Sequence, residues 1–506
     1  MAVALAAGLL AAPTWAQRSP AAPTGILPPT VAAALRAANI PQSAIALEVR
    51  ELGAAEPLLA INTRQPMNPA STMKLVTTFA GMELLGPSYT WKTEVWAEGR
   101  MLDGVLDGNL ILRGGGDPKL TIESLWLLAS HVRARGVRLV RGDLLLDRSA
   151  FATARFDPAS FDNDPTRPYN VGPDALLLNL KTVRFTFVPD VASGHAEVVA
   201  EPRMAQLDVA PNVRLSEEAC GSDWESHLKM DFQAENVTAL RVLISGAYPL
   251  SCGEKTWNVS LFSPDAYFEG TFRPIWEELG GSLQGKVRPG IVPPGARLVY
   301  VHESPPLAEV VRDINKFSNN VMARQLFLTI GMEKSGMDKT GAGADAAADK
   351  PAAAGAVNRT QPPARTDLSN LALRLWLEQR GIELPELVLD NGSGLSRSER
   401  ITAGGMSRLL GAMYASSVMP EMLASLPIVA VDGTMRRRFK AEGLAGQAHI
   451  KTGTLSDVRA IAGFVFAANG RRYSVVFMVN HPGAALSAAA QDAVLRWVYE
   501  RPSTTP

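Results

Sequence analysis

Three short motifs place serine, lysine and asparagine side chains at spacings that suit acyl transfer. The first is Ser-Thr-Met-Lys at 71–74, at the predicted start of a long apolar helix. Residues three apart lie on one face of a helix, so the Ser71 hydroxyl and the Lys74 amine can meet. A serine becomes a nucleophile when a neighbouring base takes its proton, and a lysine can be that base if burial and the helix N-terminus lower its pKa. The motif is weak alone, because residues 226–229 repeat it without an apolar helix behind them.

The second motif is Ser-Asn-Asn at 318–320, at a predicted helix junction. A serine and an asparagine two positions apart can point into one cleft. We expect Ser318 to relay a proton and Asn320 to hold a substrate amide. A polar cap that opens a helix is the alternative for any single motif of this kind.

The third motif is Lys-Thr-Gly-Thr at 451–454, on a predicted strand. Lys451 and Thr452 supply a cation and a hydroxyl for a substrate carboxylate. Glycine in a strand often marks a close approach of another backbone, so we expect Gly453 to let a substrate lie along the strand edge.

The order of the three motifs, each in a suitable predicted element, resembles that of the penicillin-recognising serine acyl-enzymes. The nearest subgroup is the class C low-molecular-mass penicillin-binding proteins, D-alanyl-D-alanine carboxypeptidase/endopeptidases of the penicillin-binding protein 4 type. Asn391 is an extra or substituted residue relative to this subgroup's D-G-S-G-L-S-R signature. The long stretch between Ser71 and Ser318 also fits, because the subgroup carries extra domains there. The similar segments are 69–75, 315–325, 390–397, 431–437 and 451–454.

The resemblance implies a reaction and a role for each motif residue. Ser71 attacks the penultimate D-alanine carbonyl of a peptidoglycan stem peptide, and β-lactams acylate the same serine. No metal or organic cofactor is expected. The implied roles are base for Lys74, proton relay for Ser318, amide binding for Asn320, carboxylate binding for Lys451 and Thr452, and oxyanion stabilisation by the N–H groups of Ser71 and Thr454.

Recognition of the charged diaminopimelate side chain is less well marked. In some members of the subgroup an acid and a tyrosine from the inserted region contact it. Asp164 and Tyr169 are candidates, as is Arg397. Ordinary surface placement is the alternative for each of these three side chains.

Positioning these motifs requires distant segments to meet in one domain. A predicted hairpin near residues 45–62 and a predicted meander at 447–479 enclose predicted helices at 71–85, 267–279, 307–329, 368–380 and 403–414. We predict an α+β fold, a transpeptidase/β-lactamase-like domain with an antiparallel sheet and a helical subdomain. The predicted domains are a split catalytic domain at 31–90 and 262–506, a mostly β insertion of two small domains at 91–261, and a disordered loop at 333–366.

Composition excludes several classes of partner. The 506 residues carry 50 Lys and Arg against 50 Asp and Glu, and zero net charge argues against nucleic acid or an anionic membrane as the main partner. No apolar run reaches the roughly 18 residues of a transmembrane helix. The six histidines show no metal-ligand spacing, so no metal site is predicted.

The N-terminal residues indicate export. Residues 1–16 are apolar and end in small residues, as in a secretory signal cut after Ala16, and 17–30 read as a flexible leader. An ordinary apolar helix is the alternative. We therefore expect a periplasmic protein, in which Cys220 and Cys252 can pair as a disulfide. Two separate buried thiols remain the alternative.

Two other functions are compatible with the fold. A β-lactamase or esterase would need a well-placed extra carboxylate for rapid deacylation, and no motif for one is present. A non-catalytic wall-binding protein is expected to have lost at least one member of the constellation. All of its members are present, namely Ser71, Lys74, Ser318, Asn320 and Lys451.

Overall fold

The computed structural model describes residues 25–152, 156–234, 239–335 and 362–502. The predicted signal at 1–16, most of the predicted leader, and residues 336–361 of the predicted loop lie outside these ranges.

Within the described ranges the helices are α1 Pro29–Ala37, α2 Lys74–Leu85, α3 Ile122–Ala134, α4 Pro264–Glu278, α5 Leu307–Lys316, α6 Asn320–Glu333, α7 Thr366–Gln379, α8 Ala403–Tyr414, α9 Met419–Ser425 and α10 Ala488–Tyr499. The strands are β1 Ile45–Glu51, β2 Leu59–Ile61, β3 Lys92–Leu102, β4 Val105–Gly114, β5 Leu139–Val140, β6 Leu144–Asp147, β7 Val183–Asp190, β8 His195–Glu201, β9 Leu207–Ser216, β10 Leu228–Ala234, β11 Leu240–Pro249, β12 Lys255–Val259, β13 Ser282–Leu283, β14 Val287–Pro289, β15 Arg297–Glu303, β16 Ala448–Leu455, β17 Val458–Phe466 and β18 Arg472–Asn480.

A five-stranded antiparallel sheet joins the two ends of the chain. Its order is β16-β17-β18-β1-β2, so the N-terminal hairpin pairs directly with the C-terminal meander. The middle strands are buried on both faces, because α1 and α10 cover one face and α8 packs on the other. The predicted α+β class is confirmed, and β16 lies at an open edge of this sheet.

Helix α2 lies at the centre of the helical layer. All residues from 74 to 82 are buried, and the helix contacts α5, α6 and α7. Its apolar side chains share one core with those of the neighbouring helices, for example Phe79 with Leu326 and Trp376. A helix that is apolar all round must be buried on all sides, so the first turn of α2 carries Lys74 into the interior.

The predicted helix at 307–329 is wrong in one respect, because the structure has two helices there. Helix α5 ends at Lys316 and α6 begins at Asn320. Ser318 has φ 57°, in the left-handed region that interrupts a helix. Asn319 caps the second helix, since its Oδ1 accepts a hydrogen bond from the Met322 N–H at 3.0 Å. The cap is therefore the middle residue of the motif, which leaves Ser318 and Asn320 free for the cleft.

The inserted region contains two sheets around one apolar core. One has the order β10-β11-β9-β8-β7-β12. The other has the order β13-β5-β4-β3-β15, with β6 and β14 attached. Helix α3 was not predicted in this mostly β region. It begins after Thr121, whose hydroxyl accepts a hydrogen bond from the Ser124 N–H. Its side chains pack in the shared core with both sheets and α4.

The insertion extends beyond the predicted boundary at residue 261. Strand β15 pairs with β3 in antiparallel register, with Val301 opposite Glu94. Phe268, Phe272 and Trp276 of α4 lie in the core of the inserted region. The chain thus leaves the insertion only after β15 has completed its sheet. We propose that the inserted region spans 91–303 and that the second catalytic segment starts near residue 304.

Two other predicted features meet described residues. Cys220 and Cys252 form a disulfide, with their Cα atoms 4.8 Å apart. The ends of the predicted 333–366 loop are ordered, because Glu333 belongs to α6 and Thr366 starts α7. Ala364 is buried and forms a β-bridge with Phe151. The predicted loop is therefore too long at both ends.

Candidate active site

The predicted nucleophile lies in a tight turn immediately before α2. Ser71 belongs to the 3₁₀ turn Ala70–Met73, where Ala70 has φ 45°. Buried Asn68 holds the turn in place. Its Oδ1 accepts from the Ala70 N–H at 2.9 Å, and its Nδ2 donates to the Ser396 carbonyl at 2.9 Å. The Ser71 side chain lies half-buried in the wall of a cleft.

The amine of Lys74 joins the first two motifs. Lys74 is fully buried, and its Nζ donates to Ser71 Oγ at 2.9 Å and to Asn320 Oδ1 at 2.5 Å. The same nitrogen contacts the Ser393 carbonyl oxygen. Three acceptors thus fix the amine beside the serine hydroxyl. This is the geometry that a base needs to remove the serine proton.

Electrostatics favour the neutral form of this base. Burial is the largest cause that holds the pKa of Lys74 well below its ordinary value, and the charges of Lys451 and Arg324 act in the same direction. The charge of Glu399 opposes them. Lowering the pKa of a lysine favours the neutral amine, whose free electron pair can accept the serine proton.

A second buried amine, on β16, contacts the cleft residue Ser318. Lys451 Nζ donates to Ser318 Oγ and to the Thr452 carbonyl, each at 2.8 Å. Burial lowers the pKa of Lys451 to about 7. The structure therefore places Ser318 against Lys451, and Asn320 against Lys74.

The open edge of β16 forms another wall of the cleft. The Ile450 N–H points outward and donates to the Pro427 carbonyl at 2.8 Å. Backbone groups two residues apart on a strand point to the same side, so the N–H groups of Thr452 and Thr454 point outward as well. The Thr452 hydroxyl is 2.8 Å from that of Thr434, and Thr454 lines the cleft. This edge can pair with an extended peptide.

Gly453 packs against the nucleophile turn. A Cβ at this position would lie 2.7 Å from the Pro69 carbonyl oxygen and 3.0 Å from the Ser71 nitrogen. A Cβ at Gly394, which has φ 81°, would lie 2.0 Å from the Ala70 carbonyl oxygen. Both glycines therefore let neighbouring backbone approach the nucleophile turn closely. This contact within the protein adds to the predicted role of Gly453 toward substrate, which stays a prediction.

Sequence reasoning missed the buried carboxylate of Glu399. Its Oε1 accepts hydrogen bonds from the backbone N–H groups of Asp390, Asn391 and Gly392, at 3.3, 3.1 and 3.0 Å. These bonds hold the turn whose Ser393 carbonyl contacts Lys74. Burial raises the pKa of the Glu399 carboxyl. In the sequence it is one acid after a serine- and glycine-rich segment, and no local signal marks it as buried.

The cleft has a volume of about 710 Å³ and separates the catalytic motifs from the inserted region. Tyr169 and Arg397 both line it. The Arg397 guanidinium pairs with Asp457 at 2.9 Å and lies over the Phe161 ring, 4.8 Å from its centroid. Two of the three predicted recognition residues therefore lie at the cleft.

The acid predicted for recognition does not line the cleft. Asp164 accepts hydrogen bonds from the Thr166 hydroxyl at 2.7 Å and Arg167 Nε at 2.8 Å, so its oxygens serve the local turn. Asp162 lines the cleft in its place and accepts from the Tyr169 hydroxyl at 2.7 Å. The choice between two acids in one loop depends on the direction of each side chain, which the sequence does not show.

Among the described residues, no group of three or more His, Cys, Asp or Glu side chains is arranged to hold a metal ion. No helix there is long and apolar enough to cross a membrane.

Known proteins with similar sequences are D-alanyl-D-alanine carboxypeptidases. The D-alanyl-D-alanine carboxypeptidase of Actinomadura sp. (strain R39) is 29% identical over 452 residues, which cover 87% of this chain and 78% of the relative. The D-alanyl-D-alanine carboxypeptidase DacB of Haemophilus influenzae is 27% identical over 422 residues, which cover 82% of this chain and 80% of the relative.

A solved structure shares the fold. Penicillin binding protein 4 of Haemophilus influenzae matches with a TM-score of 0.72 at 22% identity, over 93% of this chain and 99% of that chain. The same protein has also been solved with a β-lactam, and that structure matches with a TM-score of 0.69. The model of the D-Ala-D-Ala carboxypeptidase 3 (S13) family matches residues 27–355 and 351–500. The chain therefore belongs to the D-Ala-D-Ala carboxypeptidase 3 (S13) family.

Proposed function

We propose that this chain is a serine-type D-Ala-D-Ala carboxypeptidase and DD-endopeptidase that works through an acyl-enzyme on Ser71. The observation that carries the proposal is the contact between Ser71 Oγ and the fully buried Lys74 Nζ, at 2.9 Å. Ser318 lines the same cleft as Ser71 and accepts a hydrogen bond from the buried Lys451 Nζ. Membership of the family supports the substrate class, which is the peptides and cross-links of peptidoglycan.

Acylation uses the groups already in contact. Lys74 takes the proton of Ser71, and Ser71 Oγ bonds to the carbonyl carbon of the penultimate D-alanine. Negative charge that develops on the carbonyl oxygen is stabilised by the N–H groups of Ser71 and Thr454. The proton that Lys74 took then reaches the departing amine through Ser318, which gives one proton and takes another, so that Lys74 is neutral again; Lys451 contacts Ser318. D-alanine or one half of a cross-link then leaves, and water hydrolyses the ester to regenerate Ser71.

Substrate binding uses the remaining motif side chains. Asn320 Oδ1 accepts from Lys74, which leaves its amide NH₂ to donate to a substrate carbonyl. Lys451 and Thr452 bind the terminal carboxylate. We also propose that Asp162, in place of Asp164, acts with Tyr169 and Arg397 to recognise the charged side chain of the stem peptide.

The competing functions lack a supporting observation. Rapid deacylation by a β-lactamase requires a free carboxylate close to the ester. Asp162 and Glu225 line the cleft, but among the described residues no carboxylate forms a hydrogen bond with the Ser71 hydroxyl, which contacts Lys74. Asp162 accepts from Tyr169, and Glu399 Oε1 accepts from three backbone N–H groups. A non-catalytic binding module has no need of a buried lysine in contact with a serine. We therefore propose that β-lactams act on this chain as acylating inhibitors.

The proposed location is the periplasm. The family acts on bacterial cell wall, which lies outside the cytoplasmic membrane. The Cys220–Cys252 disulfide is stable in an oxidising compartment. Fractionation of the native host, followed by detection of the protein in the periplasmic fraction, tests this location.

The function is tested by intact-mass spectrometry after incubation with benzylpenicillin, followed by peptide mapping and by an assay of D-alanine release. We expect one adduct on the peptide that contains Ser71, and release of D-alanine from a pentapeptide. An unmodified protein with intact penicillin and no D-alanine would instead identify a binding module. Rapid consumption of penicillin without D-alanine release would identify a β-lactamase.

The pH dependence of kcat/KM should be bell-shaped. Lys74 must be neutral to act as a base, so activity is lost as pH falls through its lowered pKa. Lys451 must be charged to bind a carboxylate, so affinity falls as pH rises through about 7 in the free enzyme. Rates are to be measured for a peptide with a free terminal carboxylate and for an ester substrate without one. The fall in kcat/KM at high pH should occur only with the peptide that has a free terminal carboxylate. Identical pH profiles for the two substrates would contradict the role of Lys451.

Glu399→Gln should move the acid limb of this profile to lower pH. Glutamine keeps an oxygen for the three N–H donors, but it removes the charge that raises the pKa of Lys74. A shift of about one pH unit corresponds to an interaction of about 1.4 kcal/mol. Exposed Glu56→Gln is the matched control and should leave the profile unchanged. An unmoved limb in Glu399→Gln would mean that Glu399 does not influence the base through its charge.

A further inference from the structure

A second cavity adjoins the active-site cleft behind residue 395. Its volume is about 500 Å³, and Phe161, Leu395 and Arg397 line both spaces. The aromatic side chains of Phe156 and Phe327 also line this cavity. No residue of the three catalytic motifs lines this cavity, so the reaction proposed above does not account for it.

Arg324 lines this cavity with few partners for its charge. It lies one helical turn after Asn320 on α6, and its side chain is 4% exposed. Its Nη1 donates to the Val171 carbonyl at 3.2 Å, whereas its Nε has no hydrogen-bond partner among the described residues. The guanidinium lies 5.4 Å from the centroid of the Phe156 ring. Removing a guanidinium from water is costly unless hydrogen-bond acceptors replace the water.

The charges of Asp390 and Glu399 act on Arg324, but among the described residues neither carboxylate forms a hydrogen bond or an ion pair with its guanidinium. Asp390 lines the cavity, but it is exposed, and Asn391 Nδ2 donates to it at 3.3 Å. Glu399 uses Oε1 for backbone N–H groups. Arg397 adds a second cation where the cavity meets the cleft. A carboxylate can accept two parallel hydrogen bonds from a guanidinium, and aromatic walls suit the apolar part of a short chain that bears it.

We propose that this cavity is a carboxylate-binding site with Arg324 as its principal cation. The proposal rests on the proposed function for the favoured source of the carboxylate, which is a stem peptide bound in the adjoining cleft. A free small carboxylate from solution is the other source with the same chemistry. In the first case the site determines substrate specificity, and in the second it binds an independent ligand.

The test compares two stem peptides, one with its side-chain and isoglutamyl carboxylates free and one with them amidated. In the wild-type chain, kcat/KM should be about tenfold higher for the free peptide, which is the scale of one charge-assisted interaction. In Arg324→Met the ratio should fall severalfold, and the part that remains is the contribution of Arg397. Exposed Arg141→Met is the matched control and should keep the wild-type ratio. A ratio is used because Arg324 also influences Lys74, and that influence cancels between the two peptides.

Thermal melting with excess succinate separates the two sources. A free carboxylate is the ligand if succinate raises the Tm of the wild type but not of Arg324→Met, while both proteins have the same ratio of kcat/KM between the free and the amidated peptide. If neither succinate nor amidation has an effect that depends on Arg324, the proposal is overturned. Should Arg324→Met not fold, Arg324→Lys replaces it. The wild type alone is also decisive: if amidation leaves its kcat/KM unchanged and succinate leaves its Tm unchanged, the proposal is overturned. Acylation by benzylpenicillin tests Ser71 separately, so failure of this site is distinguishable from failure of the proposed function.

Discussion

Replacing Ser71 with alanine is expected to abolish acyl-enzyme formation while the chain stays folded. Loss of a serine nucleophile lowers kcat by about six orders of magnitude in well-studied serine hydrolases. The residual rate should therefore fall below detection in a D-alanine release assay. Incubation with benzylpenicillin should leave the mass of the variant unchanged.

The fold should survive because little structure depends on this hydroxyl. Lys74 Nζ loses one acceptor, but Asn320 and the Ser393 carbonyl remain in contact with it. The Tm should change by only a few degrees, since a single hydrogen bond contributes about 1 kcal/mol. Ser226→Ala is the matched control, because Ser226 starts the other Ser-x-x-Lys sequence and is exposed. An adduct on Ser71→Ala, or a lost adduct on Ser226→Ala, would contradict the assignment of the nucleophile.

Replacing Lys74 with methionine is expected to give the second largest loss. Methionine keeps the length and fills the buried site, but it cannot accept the proton of Ser71. General-base catalysis contributes about two to four orders of magnitude, and the acylation rate should fall by at least that amount. The measurement is the rate constant of benzylpenicillin adduct formation as a function of pH. The remaining rate should lack the acid limb that Lys74 produces.

The structure also suggests the control for this variant. Lys229 holds the position that corresponds to Lys74 in the other Ser-x-x-Lys sequence, and it is exposed on β10. Lys229→Met should acylate at the wild-type rate. Circular dichroism must show that Lys74→Met is folded, since the Asn320 oxygen and the Ser393 carbonyl lose their donor. Fast acylation by folded Lys74→Met would assign the base to another group, and Lys451, whose charge acts on Lys74, is the next candidate.

Much of the active-site chemistry was predictable because it is local. The spacing of Ser71 and Lys74 matters only along one helix, and Asn319 caps α6 by a contact three residues away. The C-terminal meander was predicted within a few residues, because strands with regular alternation and an Asn-Gly turn are encoded locally. The helix predicted at 307–329 continued through Ser318, although the motif itself was placed at a helix junction, and the structure shows the junction.

The site beyond these motifs depends on contacts between segments far apart in the chain. Glu399 and Arg324 influence Lys74 because burial brings three separate segments together in a region of low polarity. Asp162 lines the cleft and Asp164 does not, because one loop directs two similar side chains differently.

The sequence by itself predicted the family, the class of reaction and the five residues that we propose as the catalytic constellation, because residue type and short-range spacing carry that information. Only the tertiary structure decided that Gly453 packs against the nucleophile turn and that the insertion continues to β15. It also decided that the second cavity has a buried arginine on its wall. These features follow from which surfaces exclude water when the chain folds, and burial is a property of the whole molecule that no single segment contains.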